Sequence, residues 1–93
     1  MKVVYTTEAF ADLDGILDYI ANHYPAISEP FKSRLQAVVA RIARWPESAQ
    51  EVAERPGVRV VPLIRYPYKI FYRISNETVE ILYIHHAARE ETR

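Results

Sequence analysis

The sequence predicts an α+β domain in which a hairpin of two helices packs on one face of a small antiparallel sheet. Two apolar stripes with helical spacing occupy the first half of the chain, and three strand-like runs separated by short turns occupy the second half. A further strand-like run precedes the helices, so the predicted order is β-α-α-β-β-β. The 93 residues fit one domain, which we expect to span residues 1–93.

The first strand and the first helix follow from the start of the chain. The run from Lys2 to Thr6 is rich in β-branched and aromatic residues, as strands are. Thr6 or Thr7 is a suitable N-cap for the helix that follows. The apolar residues of that helix recur at spacings of three and four and are Phe10, Leu13, Leu17, Ile20 and Tyr24. Pro25 ends the helix.

The second helix begins at Ser28, which supplies a cap and is followed by an acid and an early proline. Its apolar stripe comprises Phe31, Leu35, Val38, Ile42 and Trp45, and Pro46 ends it. We predict that Phe31 and Trp45 are buried, so that truncating Trp45 would leave mostly unfolded protein. Neither helix can bury its stripe alone, which requires a third layer.

The strands follow a polar stretch, Glu47 to Pro56, that is typical of a loop. They are predicted at residues 58–64, 68–74 and 78–85, and Pro62 favours a strand edge or a bulge. Strict alternation would place Val79, Ile81, Tyr83 and His85 on one face of the last strand. Both faces of that strand are apolar, which predicts a central position. Because two helices reverse the chain twice, we expect the strand after them to run antiparallel to the first strand, and the whole sheet to be antiparallel.

The composition excludes several classes of protein. Hydrophobic residues make up 49% and charged residues 26% of the chain, as in ordinary globular domains. The absence of cysteine excludes disulfide scaffolds, cysteine zinc sites and thiol catalysis. No apolar run is long enough to span a membrane, and the N-terminus lacks the pattern of a signal peptide. We therefore expect a cytoplasmic protein.

The formal net charge is zero, but the charges are segregated. Residues 1–30 carry one lysine and five acids, whereas the stretch from Arg55 to Arg73 carries five bases and no acid. Chance segregation of solubilising charge explains this pattern, and so does a basic surface for nucleic acid or an acidic protein segment.

The bases suggest a cationic patch on the sheet face away from the helices. Arg59 and Arg65 share parity on one strand, Lys69 and Arg73 share parity on the next, and Arg89 follows the last strand. Such a patch would stabilise a phosphodiester transition state without a metal, or would be a solvated face bound by an acidic partner or by none. Three tyrosines among the bases are suited to stacking on nucleobases or to packing in the core or at its rim: Tyr66, Tyr68 and Tyr72.

The sequence gives little sign of phosphate-binding, nucleophilic or metal-binding sites. The chain has no Gly-rich phosphate loop, no nucleophile elbow and no acidic cluster with metal-ligand spacing. His85 and His86 are adjacent on a strand and point to opposite faces, so they cannot jointly hold one metal. We therefore expect no metal and no cofactor. One histidine alone is suited to general acid–base work, but packing of one against the helices and solvation of the other also explain the pair.

The strand sequences resemble the ParE/RelE toxin superfamily, and within it the ParE-like plasmid-stabilisation branch. The resemblance rests on two runs, Tyr66-Pro67-Tyr68-Lys69-Ile70-Phe71-Tyr72-Arg73-Ile74 and Val79-Glu80-Ile81-Leu82-Tyr83-Ile84-His85-His86-Ala87-Ala88-Arg89. It extends to the first helix through Ala9, Asp12, Leu13, Ile16, Tyr19 and Ile20. The resemblance covers nearly the whole chain and implies a type II toxin held inactive by a cognate antitoxin.

The resemblance implies two cellular targets. ParE-like members are associated with inhibition of DNA gyrase, and RelE-like members cleave mRNA on the ribosome. A RelE-like ribonuclease would use Lys69, His85 or His86, and Arg65 or Arg89. The basic tail with tyrosine found in that branch is replaced here by Glu90-Glu91-Thr92-Arg93.

Our first hypothesis is therefore a gyrase-binding toxin without enzymatic activity, the second is a metal-independent ribonuclease, and the third is an inactive member that only binds its antitoxin. We expect the antitoxin to lie along the sheet or in a groove between helix and sheet. The residues proposed to bind antitoxin or nucleic acid are Arg59, Arg65, Tyr66, Tyr68 and Arg73.

Overall fold

The computed structural model describes residues 1–87. In this region the elements are β1 (Lys2–Tyr5), α1 (Thr7–His23), α2 (Ser28–Arg44), β2 (Gln50–Glu51), β3 (Val58–Pro62), β4 (Tyr68–Ser75) and β5 (Thr78–His86). One turn of 3₁₀-helix, Pro25–Ile27, joins the two α-helices. Both helices pack on one face of the sheet, which confirms the predicted α+β class. Neither helix of residues 1–87 has the length and apolar content needed to cross a bilayer.

The sheet is mixed, with strand order β1-β5-β4-β3-β2. β1 runs parallel to β5, with Val3 opposite Val79, and the other neighbours are antiparallel. The expectation of an antiparallel sheet is therefore wrong for β1, which has the same direction as β3. The reason is β2, which lies in the stretch predicted to be a loop and reverses the chain once more before β3. The predicted central position of the last strand is confirmed, because β5 lies between β1 and β4.

The core lies between the helices and the sheet face that they cover, called here the inner face. α2 contributes Phe31, Leu35, Val38 and Ile42, and the sheet contributes Ile70, Tyr72, Val79, Ile81 and Ile84. The buried residues of α1 are Ala9 and Ile20, whereas Phe10 is 67% exposed. At the start of α1 the buried residue is therefore Ala9, one position before the Phe10 that the spacing predicted.

Trp45 is 53% exposed, so its predicted burial is wrong. α2 ends at Arg44, and Trp45 has a non-helical backbone with φ −129° and ψ 71°. Helical spacing therefore no longer determines where this side chain points. Its ring lies beneath the guanidinium of Arg44, whose Cζ is 4.8 Å from the ring centroid. Trp45 is a surface residue held by a cation–π contact.

Thr6 fixes the start of α1 against β5. Its Oγ1 accepts the N–H of Ala9 at 3.0 Å, which confirms it as the N-cap. The same hydroxyl donates to the carbonyl of Leu82 at 2.7 Å, and the Thr6 N–H donates to the carbonyl of Ile81 at 3.0 Å. Ser28, by contrast, is the first residue of α2, and no side chain caps that helix.

A β-bulge at Leu82 changes the alternation along β5. Tyr72 pairs with Ile81 and Phe71 pairs with Tyr83, so Leu82 is an extra residue without a partner on β4. Ile81 faces the helices before the bulge, and Ile84 faces them after it. Tyr83 and His85 therefore lie on the opposite face, called here the outer face, which corrects the predicted alternation.

Candidate functional site

The outer face carries a row of rings that includes one of the two histidines. The Tyr83 and His85 rings stack with centroids 4.5 Å apart, and both lie against Phe71, at 4.8 and 5.7 Å. Lys69 is directly opposite His85 in the pairing of β4 with β5, so both side chains lie on this face. The structure thus brings together two of the residues predicted for ribonuclease chemistry.

Arg55 joins this row from the loop before β3. Its guanidinium carbon lies 5.2 Å from the centroid of the Tyr83 ring. A turn holds the loop there, because the Arg55 N–H donates to Val52 and the Arg55 carbonyl accepts from Val58. Sequence reasoning did not select Arg55 as a site residue. The only signal was its position at the start of the basic run.

Two bases of the predicted cationic patch, Arg59 and Arg65, do not lie on the outer face with Lys69 and Arg73. Arg59 pairs with Tyr72 on the inner face and donates to the carbonyls of Glu47 and Ala49, at 3.1 and 2.7 Å. Arg65 lies in the turn after β3 with a φ of 82°, since the strand ends earlier than predicted.

Arg73 lies on the outer face, as predicted, but its charge is paired. Its Nε donates to a carboxylate oxygen of Glu80 at 2.7 Å on the neighbouring strand. The Glu80 carboxylate therefore offsets the positive charge of Arg73 at this position. Arg89 is outside the described residues.

Tyr66 and Tyr68 pack at the rim of the core. Both rings meet Phe31 edge-on, with centroid distances of 5.3 and 5.9 Å. This matches the core-or-rim interpretation of these tyrosines. Their hydroxyl-bearing rings line a groove on the inner face, between α1 and the segment that joins β3 to β4.

The groove has a volume of about 740 Å³ and is lined largely by apolar and aromatic residues, among them Ile16, Tyr19 and Tyr24. His86 lies in this groove, with its ring 5.4 Å from that of Tyr68. His85 and His86 therefore lie on opposite faces, as predicted, and only His85 shares a face with Lys69. An apolar groove of this kind is suited to the apolar side of a peptide segment.

Three potential ligating side chains meet at the edge of the sheet where β1 has ended: Glu8, Asp12 and His85, called here the edge cluster. One ligand atom from each lies within 4.8 Å of the others. Asp12 also accepts the N–H of Ile84 at 3.0 Å, and so occupies the edge of β5 that β1 leaves unpaired. Sequence spacing did not predict this cluster, because His85 is far from the acids along the chain. The four-residue spacing of Glu8 and Asp12 was the only visible part of it.

Comparison with known proteins gives one consistent result. Residues 3–91 match the family described as the ParE toxin of the type II toxin–antitoxin system parDE. Toxin RelE2 of Caulobacter vibrioides is 36% identical over 89 residues, which covers 95% of this chain and 97% of that protein.

Solved structures give the same fold. The chromosomal ParDE toxin–antitoxin system from P. aeruginosa contains a chain that is 28% identical, with a TM-score of 0.68, covering 92% of this chain and 95% of that chain. The isolated E. coli RelE toxin is 17% identical, with a TM-score of 0.58, covering 98% of this chain and 88% of that chain. At that identity the likeness to the RelE structure concerns the fold alone.

Proposed function

Because this chain belongs to the ParE toxin family of type II toxin–antitoxin systems, we propose that it inhibits DNA gyrase by binding and without catalysing a reaction. A cognate antitoxin holds it inactive. The observation that carries the proposal is the match of residues 3–91 to the ParE family. The distribution of charge on the outer face supports it.

Cleavage of a phosphodiester needs cationic groups directed at the oxygens on which charge develops. In residues 1–87, Arg59 is directed to the inner face and Arg73 is paired with Glu80. Arg65 lies in a turn outside the strands. Arg59, Arg65 and Arg73 therefore do not converge on one position. A toxin that acts by binding needs no such convergence, because its affinity comes from contacts spread over a surface.

The antitoxin segment is proposed to occupy the inner-face groove. The groove is lined by Tyr66 and Tyr68, and its apolar and aromatic walls suit the apolar side of an amphipathic helix. Arg65 lies beside Tyr66 and is exposed. We propose that it pairs with an acidic residue at the edge of such a segment.

A metal-independent, ribosome-dependent mRNA ribonuclease is the second candidate, and the pairing of Lys69 with His85 favours it. In that reaction the His85 imidazole would transfer a proton, and the Lys69 ammonium would stabilise the charge on phosphate. His86 has no part in this version of the site, because it lies in the groove on the other face.

Expression of the chain without its antitoxin separates the candidates. We expect a growth defect with inhibited supercoiling, and we expect it to persist in the folded double variant Lys69→Ala/His85→Ala. The matched control is Lys32→Ala/His23→Ala, which removes the same two residue types from the helices. DNA supercoiling and the 5′ ends of cellular mRNA are measured in parallel.

A ribonuclease would behave differently, since loss of one catalytic group commonly lowers the rate ~10²–10³-fold. Loss of toxicity in the folded Lys69/His85 variant, together with loss of mRNA cleavage, would replace the gyrase proposal by the ribonuclease. A parent chain that does not affect growth at all would leave antitoxin binding as its sole role.

A further inference from the structure

The edge cluster has the geometry of an open metal site. Its three donors come from two elements, and their ligand atoms lie within 4.8 Å of one another. In a tetrahedral zinc site with bonds of about 2.0–2.1 Å, neighbouring donors are about 3.4 Å apart. The donors must therefore close by less than about 1.5 Å, which small rotations of the flexible Glu8 side chain and its neighbours provide.

The backbone that carries these donors is already fixed. Asp12 accepts the Ile84 N–H through one oxygen, which leaves the other oxygen of that carboxylate for a cation. Hydrogen bonds of this type orient ligands in known metal sites. The two hydrogen bonds from Thr6 to the carbonyls of Ile81 and Leu82 hold the first turn of α1 against β5. Little ordering of the chain is thus left for binding to impose.

The charges around the cluster are of both signs. Glu8 and Asp12 together bring two negative charges. Against them stand the partial charge of about +0.5 at the α1 N-terminus, Lys69 opposite His85, and Arg55 on the far side of the Tyr83 ring. The two carboxylates would contact the ion directly, whereas the Tyr83 ring lies between Arg55 and His85.

We propose that Glu8, Asp12 and His85 bind one divalent transition-metal ion of the Zn²⁺ class, with water completing the coordination. The imidazole selects such ions over Mg²⁺ and Ca²⁺, which prefer ligand sets made of oxygen alone. Because the donors meet only in the folded chain, the ion joins α1 to β5 and stabilises the fold. This site does not depend on the proposed gyrase inhibition. In the ribonuclease alternative, a metal ion on His85 would compete with the proton transfer assigned to that imidazole.

Titration of the chelator-treated, full-length chain with Zn²⁺ tests the proposal. We expect saturable binding of one ion per chain by calorimetry. At a free Zn²⁺ concentration of about 100 times Kd, the ratio of folded to unfolded chain rises ~100-fold and Tm rises with it. Co²⁺ should give a one-to-one absorption signature of bound metal, and Mg²⁺ should give no comparable shift.

Substitutions assign the ligands. Glu8→Gln and His85→Gln should each weaken Zn²⁺ binding at least ~10-fold. Loss of a group that only orients a metal ligand already lowers metal affinity by about this factor, and loss of a ligand itself should cost at least as much. The controls are Asp14→Asn on the same helix and His23→Gln, which should bind as the parent does. Glu8 is exposed, so its variant remains informative if His85→Gln fails to fold. Absence of saturable binding, unchanged binding in Glu8→Gln, or an equal loss in His23→Gln would overturn the proposal.

Discussion

Replacing Tyr72 by phenylalanine removes one hydroxyl from the centre of the sheet and leaves the ring in place. Tyr72 is fully buried, with 0% of its surface exposed, and its hydroxyl donates to the Pro46 carbonyl at 2.6 Å. This hydrogen bond ties β4 to the start of the segment that follows α2. Because the ring remains, the substitution tests the hydrogen bond with little change in packing.

A hydrogen bond of this kind contributes roughly 0.5–1.5 kcal/mol net. For a domain of this size, a loss of about 1 kcal/mol lowers Tm by about 4–8 °C. We therefore expect Tyr72→Phe to fold cooperatively near neutral pH and to melt a few degrees below the parent. The result contrasts with truncation of a buried ring to alanine, which costs about 3–5 kcal/mol.

Alkaline pH provides a second readout of the same residue. Burial raises the pKa of Tyr72 above 10.0, although the nearby Arg59 guanidinium opposes the shift. Below pH 10 the phenol is protonated in both states; above it, the unfolded chain loses its proton first, and the parent loses stability. Tyr72→Phe lacks this loss, so the stability difference between parent and variant should shrink as pH rises above about 10. Burial also raises the pKa of Tyr5. Because Tyr5 is present in both the parent and the Tyr72→Phe variant, its effect cancels in the difference between their stabilities.

Urea denaturation at neutral pH and above pH about 10 measures both effects as free energies of unfolding. Tyr24→Phe is the control, because Tyr24 is 56% exposed and its substitution should stay within about 0.5 kcal/mol. Equal stability of Tyr72→Phe and parent at neutral pH would refute the argument for the hydrogen bond. A difference that stays constant into the alkaline range would refute the argument for the pKa.

Two further substitutions test the surface and the sheet edge. Trp45→Ala should cost about 1 kcal/mol or less, because it removes an exposed cation–π contact, whereas Phe31→Ala should cost about 3–5 kcal/mol. Equal losses in the two thermal melts would show that Trp45 belongs to the core. In metal-free buffer, Asp12→Ala should lose about 1–3 kcal/mol, since the Ile84 N–H then lacks its acceptor, and hydrogen exchange at Ile84 should accelerate. Asp14→Ala is the matched control, and an effect as large as that of Asp12→Ala would count against a specific role for the Ile84 contact.

The sequence predicted the features that local pattern determines. The stripe of α2 from Phe31 to Ile42 is buried as its spacing indicated. Thr6 caps α1, and the apolar residues on both faces of β5 reflect its central position. Each of these follows from side chains within a few residues of one another, so periodicity and capping chemistry were sufficient.

The features that the sequence did not predict depend on pairing between distant segments. β2 has two residues, too few to show any alternation, yet it sets the direction of β3. Alternation along β3 does not determine the register in which β3 pairs with β4. The predicted outer position of Arg59 is wrong because its pairing with Tyr72 places its side chain on the inner face. The meeting of Glu8 and Asp12 with His85 likewise depends on where β1 stops along β5.

The bulge at Leu82 has a consequence for comparing this chain with its relatives. Deletion of one residue there would place His85 on the inner face and His86 on the outer face, although the two histidines would remain adjacent in the sequence. A relative with a single histidine at this strand end would then present it to either side, according to whether its strand carries the extra residue. Equivalence between such histidines is therefore decided by where the gap is placed in an alignment, and three-dimensional superposition is the sounder guide to a shared role.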